Sequence, residues 1–482
     1  MADSTAVRSE IRHDGFVRAF ELQLSAAAWS SRVAAFLVLG ALLPIALGLF
    51  PIGSGEPAFV IGMLFVLSGA WNIACLVTHT SPRLVALSFW LFIYLWCGLA
   101  PLSQLTDGVW FWPGVYQEKV RTAAAYVALV GASAWVAGYK LFAMRRLVVR
   151  PRVVDAKRVT LLCWSALATS VLALGALGVG TFFSSRRGLG AALTELAGGT
   201  VTQGQLLFAL IVVPSSLGLF MLLWGKNAVG WRLTLWQKRL VWALALVVVV
   251  VANPVGNSRF LSGSILIALL VARSPRVRTT RFTRTVAVAL VAATVLVFPV
   301  ADFSRASDSS NSLEIRFDRN LLQGGDYDAF QQTMNGVRYV DQYGVGLGTQ
   351  ASGVLLLPIP RQLWGSKPEP VGVVLARDAG YEFVNLSSPA WLEGYVDFSW
   401  FGAALFGAVL GALASRLDRA YYEPRFTVWS AIAPVYIGYQ LIVLRGSLMG
   451  VVAFLAVWVL LAWLVTRPSP VRRGDLTRGA AA

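Results

Sequence analysis

The chain has 482 residues, 57% of them hydrophobic and only 13% charged, and its 41 Lys and Arg outweigh 24 Asp and Glu to give a formal charge of +17. Soluble proteins carry about a quarter charged residues, so this composition excludes a cytosolic enzyme and points to a polytopic membrane protein. Three cysteines in apolar runs (Cys75, Cys97, Cys163) offer no disulfide framework or CxxC metal site, and His13 and His79 are too few for a His-ligated zinc or haem.

Residues 1–32 are polar and mixed in charge, with an amphipathic piece around 16–24. They lack the short apolar core and cleavage site of a signal peptide and read as a cytoplasmic tail. Twelve apolar segments follow, at 33–52, 57–77, 84–103, 122–143, 159–180, 204–224, 239–255, 258–273, 285–301, 392–414, 426–444 and 447–466. Most are long enough to cross a hydrocarbon core of about 30 Å. The expected fold is therefore an all-α bundle of about twelve transmembrane helices: spans one to nine in 33–301, an extracytoplasmic loop at 302–391, spans ten to twelve in 392–466, and a cytoplasmic tail at 467–482. The seventh and eighth segments share the break Asn253-Pro254-Val255-Gly256-Asn257 and read equally as two tight spans or one interrupted element.

Basic residues set the expected orientation. With the N-terminus inside, 28 of the 41 Lys and Arg fall in inner segments, and the acidic residues run the other way. The basicity is thus a topology signal plus attraction to anionic membrane lipid. It lacks the basic face with stacking aromatics that a nucleic-acid partner would require.

The polar excursion at 302–391 is far longer than a connecting loop and reads as functional. It carries helix-like stretches at 313–322 and 327–340, then a Gly-rich run, then 354–360 as a candidate short re-entrant piece. The outer loop at 104–121 holds Trp110, Phe111, Trp112 and Tyr116, expected as an interfacial aromatic belt, and the loop at 181–203 holds Arg186 and Arg187.

The long loop gathers Arg305, Arg316, Arg319, Arg338, Arg361, Lys367 and Arg377, while Arg259 and Arg445 lie at outward span ends. An arginine at a span end also serves as a snorkelling anchor. Against the positive-inside bias, however, several arginines at one outer cavity suit a diphosphate, because the guanidinium fork pairs bidentately with phosphate oxygens and keeps its charge. At that depth the diphosphate would be the headgroup of a polyprenyl sugar carrier. Glycosyl transfer from such a carrier also needs a base for the acceptor hydroxyl. Asp326 and Asp328 follow Gly324-Gly325 with DxD spacing, a pattern any acidic loop produces; the plainer reading is an N-cap with first-turn acids of the 327–340 helix. Glu393 and Asp397, four apart, would share a helix face at the outer surface. Walker A and HExxH motifs are absent, as is an outer histidine, and the inner loops are too short to bind a nucleotide sugar.

Four stretches carry a family resemblance: Asn253-Pro254-Val255-Gly256-Asn257-Ser258-Arg259-Phe260; Pro358-Ile359-Pro360-Arg361-Gln362-Leu363-Trp364-Gly365-Ser366-Lys367-Pro368; Glu393-Gly394-Tyr395-Val396-Asp397-Phe398-Ser399-Trp400-Phe401-Gly402; and Arg445-Gly446-Ser447. In order, and with the large loop before the last three spans, they resemble the Wzy-type oligosaccharide repeat-unit polymerases, the O-antigen polymerases. The third stretch has Asp397 where that family often has Asn.

The resemblance implies a glycosyltransferase of the bacterial plasma membrane, with both termini cytoplasmic. It would move a growing glycan from one polyprenyl-diphosphate-linked oligosaccharide to another at the outer face, inverting and without metal or other cofactor. Arg259, Arg361 and Arg445 would hold the diphosphates, with Asp326 or Glu393 as base. Arg316, Arg319 and Arg377, with Arg305, Arg338, Lys367, Asp328 and Asp397, would contact charge or sugar. A chain-length regulator and a flippase are the expected protein partners. The alternatives are an O-antigen-ligase-like enzyme, against which the absent outer histidine counts; another lipid-linked-sugar glycosyltransferase with its carboxylate in the first outer loop, here only Gly53–Pro57 with Glu56; and a lipid-linked oligosaccharide flippase or transporter, against which the nearly charge-free spans count.

Overall fold

The computed structural model describes residues 26–49, 55–79, 81–144, 151–199, 201–273, 280–297, 319–357, 359, 363–384, 386–423 and 426–469. The chain is almost wholly helical there, and eight helices are long and apolar enough to cross a membrane. The bundle runs through α1 (26–46), α2 (Pro57–Thr78), α3 (Leu84–Asp107), α4 (Glu118–Ala143), α5 (Ala156–Leu177), α6 (Arg186–Leu196), α7 (Val201–Trp224), α8 (Leu235–Val251), α9 (Arg259–Arg273) and α10 (280–297). Within the long excursion come α11 (Ala329–Tyr343), α12 (Thr349–Leu355) and α13 (Val371–Asp378), and the chain closes with α14 (Ala390–Tyr422), α15 (Val428–Arg445) and α16 (Leu448–Leu464).

The seventh and eighth apolar segments are two helices, α8 and α9. Asn253 holds the break between them. Its amide donates to the Phe182 and Val250 carbonyls, and its side-chain oxygen accepts from the N–H groups of Val255 and Gly256. Asn257 donates to the carbonyls of Val251 and Asn253. Two amide side chains thus satisfy backbone groups that an apolar surrounding would leave costly. The helix of the excursion expected at 327–340 forms as α11. Of the helix-like stretch at 313–322, residues 319–322 form a 3-10 turn and the rest lies outside the described residues, as does the amphipathic piece at 16–24; the candidate re-entrant piece at 354–360 overlaps only the end of α12.

Small residues bring α4 and α14 together. A Cβ on Gly138 would lie 2.1 Å from the Ala408 carbonyl oxygen, and on Gly411 2.0 Å from that of Trp135. Gly407 and Gly411 form a GxxxG pair, which lets backbones approach where lipid offers no hydrophobic drive for association. Helix α3 is the buried centre, with Phe89 stacked on Trp135 of α4 at 3.6 Å between centroids. A π-turn at Ile93–Leu99 precedes Pro101, whose ring and missing N–H disrupt the regular ladder there.

Hydrogen bonds sort the connections into two ends. At one end, β1 (Arg152–Val154) pairs antiparallel with β2 (Thr466–Pro468), and Arg284 donates to the carbonyls of Thr78 and His79 at the end of α2. At the other, the loop end, the Glu56 carboxylate takes two bonds from Arg121, and the excursion joins the 104–116 segment and the α15–α16 junction.

Candidate functional site

Helix α14 is interrupted at Phe398 (φ −140°, ψ 23°) and Ser399 (φ 55°, ψ −143°). Gly394 and Gly402 meet back to back, since a Cβ on Gly402 would lie 1.9 Å from the Gly394 carbonyl oxygen. The piece 390–397 therefore folds against the longer helix and is buried throughout. This places Glu393 and Asp397 inside the protein and not on the helix face at the outer surface that their spacing suggests.

Their carboxylates meet helix N-termini. Glu393 Oε1 accepts from the Leu448 N–H at 2.9 Å and the Ser447 hydroxyl at 2.6 Å, at the start of α16. Asp397 accepts from the N–H groups of Gln350 (3.0 Å) and Ala351 (2.7 Å) in the first turn of α12. Further along α14, Asp418 accepts from Val85 and Ala86 at the start of α3, and from the Tyr139 hydroxyl at 2.8 Å. The first N–H groups of a helix have no intrahelical acceptor and carry positive partial charge, so each contact compensates a buried carboxylate and an orphan donor together.

The ion-pair centre lies beside Glu393. Residues 386–388 run along the α15–α16 junction, with a bridge between Ser387 and Gly446 and a bond from the Ser388 N–H to the Arg445 carbonyl at 2.7 Å. There the Arg445 guanidinium reaches two segments: Nη1 lies 2.7 Å from Asp326 Oδ1 and Nη2 donates to the Gly325 carbonyl at 3.3 Å, while Nε donates to the Ser387 hydroxyl at 3.0 Å. Asp328 Oδ1 lies 3.8 Å from Nη2 and accepts the Ser387 hydroxyl, while Oδ2 accepts the Trp112 indole N–H at 3.0 Å. Burial pushes the Asp328 carboxyl above the usual range, opposed by Arg445 and these donors. Asp328 occupies the N-cap position of α11, but its side chain makes no cap bond there, being taken up by this network.

Exposure divides the three acids around Arg445. The Asp326 and Arg445 side chains are 24% and 18% exposed, whereas that of Asp328 is 2% and Glu393 as a residue 1%. Among the described acids, Asp326 is the one that combines contact with Arg445 and access from outside. Trp96 fixes its backbone by donating its indole N–H to the Asp326 carbonyl at 2.8 Å. The edge of the Phe260 ring packs on Trp96, which brings Arg259, the first residue of α9, to the same end of the bundle.

The remaining expected residues are engaged elsewhere. Arg338 lies over the Tyr116 ring at 5.9 Å, and Tyr116 is linked through Gln331 to the Trp112 backbone. Arg377 pairs with Glu369. Lys367 is buried and donates Nζ to the carbonyls of Leu357 and Ile359 at 2.7 and 2.8 Å, which suits a structural clamp better than a sugar contact. Arg305, Arg316 and Arg361 lie outside the described residues, as does the side chain of Arg319.

Trp112, Ser387 and Ser447 belong to the site although residue chemistry alone had not selected them. Of the aromatic belt expected at 110–116, Tyr116 is buried and the half-buried Trp112 serves Asp328, while Phe111 stays exposed and packs on Gly325, where a Cβ would lie 2.8 Å from its ring. The one signal in the sequence was the density of aromatic rings in so short a loop. No protein family matches the chain, nor does any curated protein or solved structure to which it was compared.

Proposed function

We propose that the protein is a membrane glycosyltransferase that polymerises polyprenyl-diphosphate-linked oligosaccharide repeat units. It would have twelve spans, cytoplasmic termini and the 302–391 excursion at the outer face of a bacterial plasma membrane. The observation that carries this reading is the half-open pair between Arg445 and Asp326, held at the loop end by Ser387, Asp328 and Trp112.

The pair suggests a sequence of events. A donor diphosphate competes with Asp326 for the guanidinium fork, which favours phosphate oxygens. Asp326, released from Arg445, accepts the proton of the acceptor sugar hydroxyl. The hydroxyl oxygen forms the new bond to the donor anomeric carbon as the bond from that carbon to the diphosphate breaks, with inversion, and the diphosphate leaves with the electron pair on Arg445. Glu393 keeps the α15–α16 junction in register and stays out of the proton transfer. Arg259 supplies further positive charge at the same end.

Deletion of the gene followed by gel analysis of lipid-linked glycans tests the reading. A polymerase deletion accumulates single repeat units at the outer face. Units trapped inside would indicate a flippase, and long unattached chains would indicate a ligase; either result overturns the proposal. Because arginine rather than metal would hold the leaving group, polymerisation in vitro should survive EDTA. Loss restored by Mg²⁺ or Mn²⁺ would assign metal-ligand roles to Asp326 and Asp328.

A further inference from the structure

Between α11 and α12 the chain reads Tyr343-Gly344-Val345-Gly346-Leu347-Gly348, alternating glycine with large apolar residues. Its backbone is held firmly. The Gly346 N–H donates to the Val396 carbonyl and the Leu347 N–H to the Asp397 carbonyl, both at 2.9 Å, while Asp397 itself caps α12. Gly348 lies against the Phe398 ring, and Gly353 in α12 lies against Met449 in the first turn of α16. Leu347 has a left-handed backbone (φ 49°), which a leucine adopts only at a cost.

The apolar side chains on this rigid frame point outward. Leu347 is 80% exposed and Leu355 79%, with Tyr343, Val345 and Leu356 also exposed; Leu363, further along the chain, is 81% exposed. Water is a poor match for so concentrated a patch. The patch adjoins an exposed apolar surface on α14, one of the helices long and apolar enough to cross a membrane. It is tied to α14 at the interruption, directly after which the exposed Trp400 and Phe401 begin a stripe that continues through Leu405 and Val409 along the spanning helix. Its other tie is to the first turn of α16, next to Ser447 and Arg445.

We propose that residues 343–356, with Leu363, form a non-spanning interfacial element whose leucines insert into the lipid leaflet at the loop end. The Tyr343 hydroxyl, which accepts a bond from Gln342, lies at the wet boundary. The excursion is thus partly embedded, and its embedded edge sets the Arg445–Asp326 centre at headgroup depth. This inference does not depend on the proposed reaction.

Spin labels on single cysteines at Leu355 and Leu363, in a protein lacking Cys75, Cys97 and Cys163 and reconstituted into phosphatidylethanolamine–phosphatidylglycerol vesicles, test it. Phe401→Cys serves as the lipid reference and Glu382→Cys as the water reference. The labels at 355 and 363 should show high oxygen and low nickel-chelate accessibility, matching Phe401. Nickel accessibility like that of Glu382 would place the patch in water, and exclusion of both reagents would place it in a protein contact; either overturns the proposal. Wild-type protein provides a check free of variants. A phospholipid carrying a diazirine near the ester end of its acyl chain should cross-link within 343–356, and adducts confined to the spanning helices would refute the insertion.

Discussion

Arg445 and Asp326 are in mutual contact at the loop end and both are partly exposed, and the proposed reaction depends on both. Asp326→Asn should lower polymerisation by on the order of 10²–10⁴, the usual worth of a positioned base, at unchanged membrane abundance. Arg445→Lys should recover little of the activity lost in Arg445→Ala, because an ammonium cannot reproduce the fork. Wild-type polymer length from a well-expressed Asp326→Asn protein would remove it as the base. Glu393 makes the converse case. Since its carboxylate accepts from Leu448 and Ser447, Glu393→Gln keeps an acceptor and should preserve activity within a few fold, whereas Glu393→Ala should cost about 0.5–2 kcal/mol, as lost caps do. Thermal unfolding in detergent alongside the activity assay separates the two. Inactive but fully stable Glu393→Gln would return the residue to catalysis.

At the scale of elements, α14 links the ends of the molecule. Its three carboxylates cap α16, α12 and α3, and its glycines lie against α4. A leucine at Gly411 would have to displace the Trp135 backbone, so Gly411→Leu should cost more than the roughly 1–3 kcal/mol typical of overpacking and lower the folded yield sharply. Gly175 on α5 has open space where a Cβ would stand, with nothing within 4 Å, and Gly175→Ala should leave the melting temperature level or slightly raised, because alanine favours the helix. Equal effects at both positions, read by size-exclusion profile and melting temperature, would contradict the close α4–α14 crossing. Asp418→Leu should destabilise as well, by stranding the Tyr139 hydroxyl and the first N–H groups of α3.

For the whole molecule, the excess of basic residues at the end holding β1 and β2 predicts that this end faces the cytoplasm. Single cysteines at Glu382 and Lys157, both exposed and at opposite ends, distinguish the orientations. An impermeant thiol reagent should label Glu382→Cys in intact cells and Lys157→Cys only after lysis. The reverse pattern would invert the topology and remove the lipid-linked donor at the outer face from the proposed reaction.

The sequence by itself determined the apolar segments and the helical class, because a run of apolar residues in lipid must satisfy its own backbone and has little choice but helix. It also singled out Arg445, Asp326 and Asp328, whose charge in a largely uncharged chain is conspicuous. Only the tertiary structure decided what those charges face. Glu393 and Asp397 sit on one helix turn in the sequence, yet each serves the N-terminus of a helix distant along the chain. Trp112 and Ser387 entered the site for the same reason, since their partner Asp328 is far from Trp112 in sequence and brought close only by folding. Periodicity reports which face of an element is apolar, whereas the partner of a buried polar group is set by packing between elements, and local patterns carry no record of it.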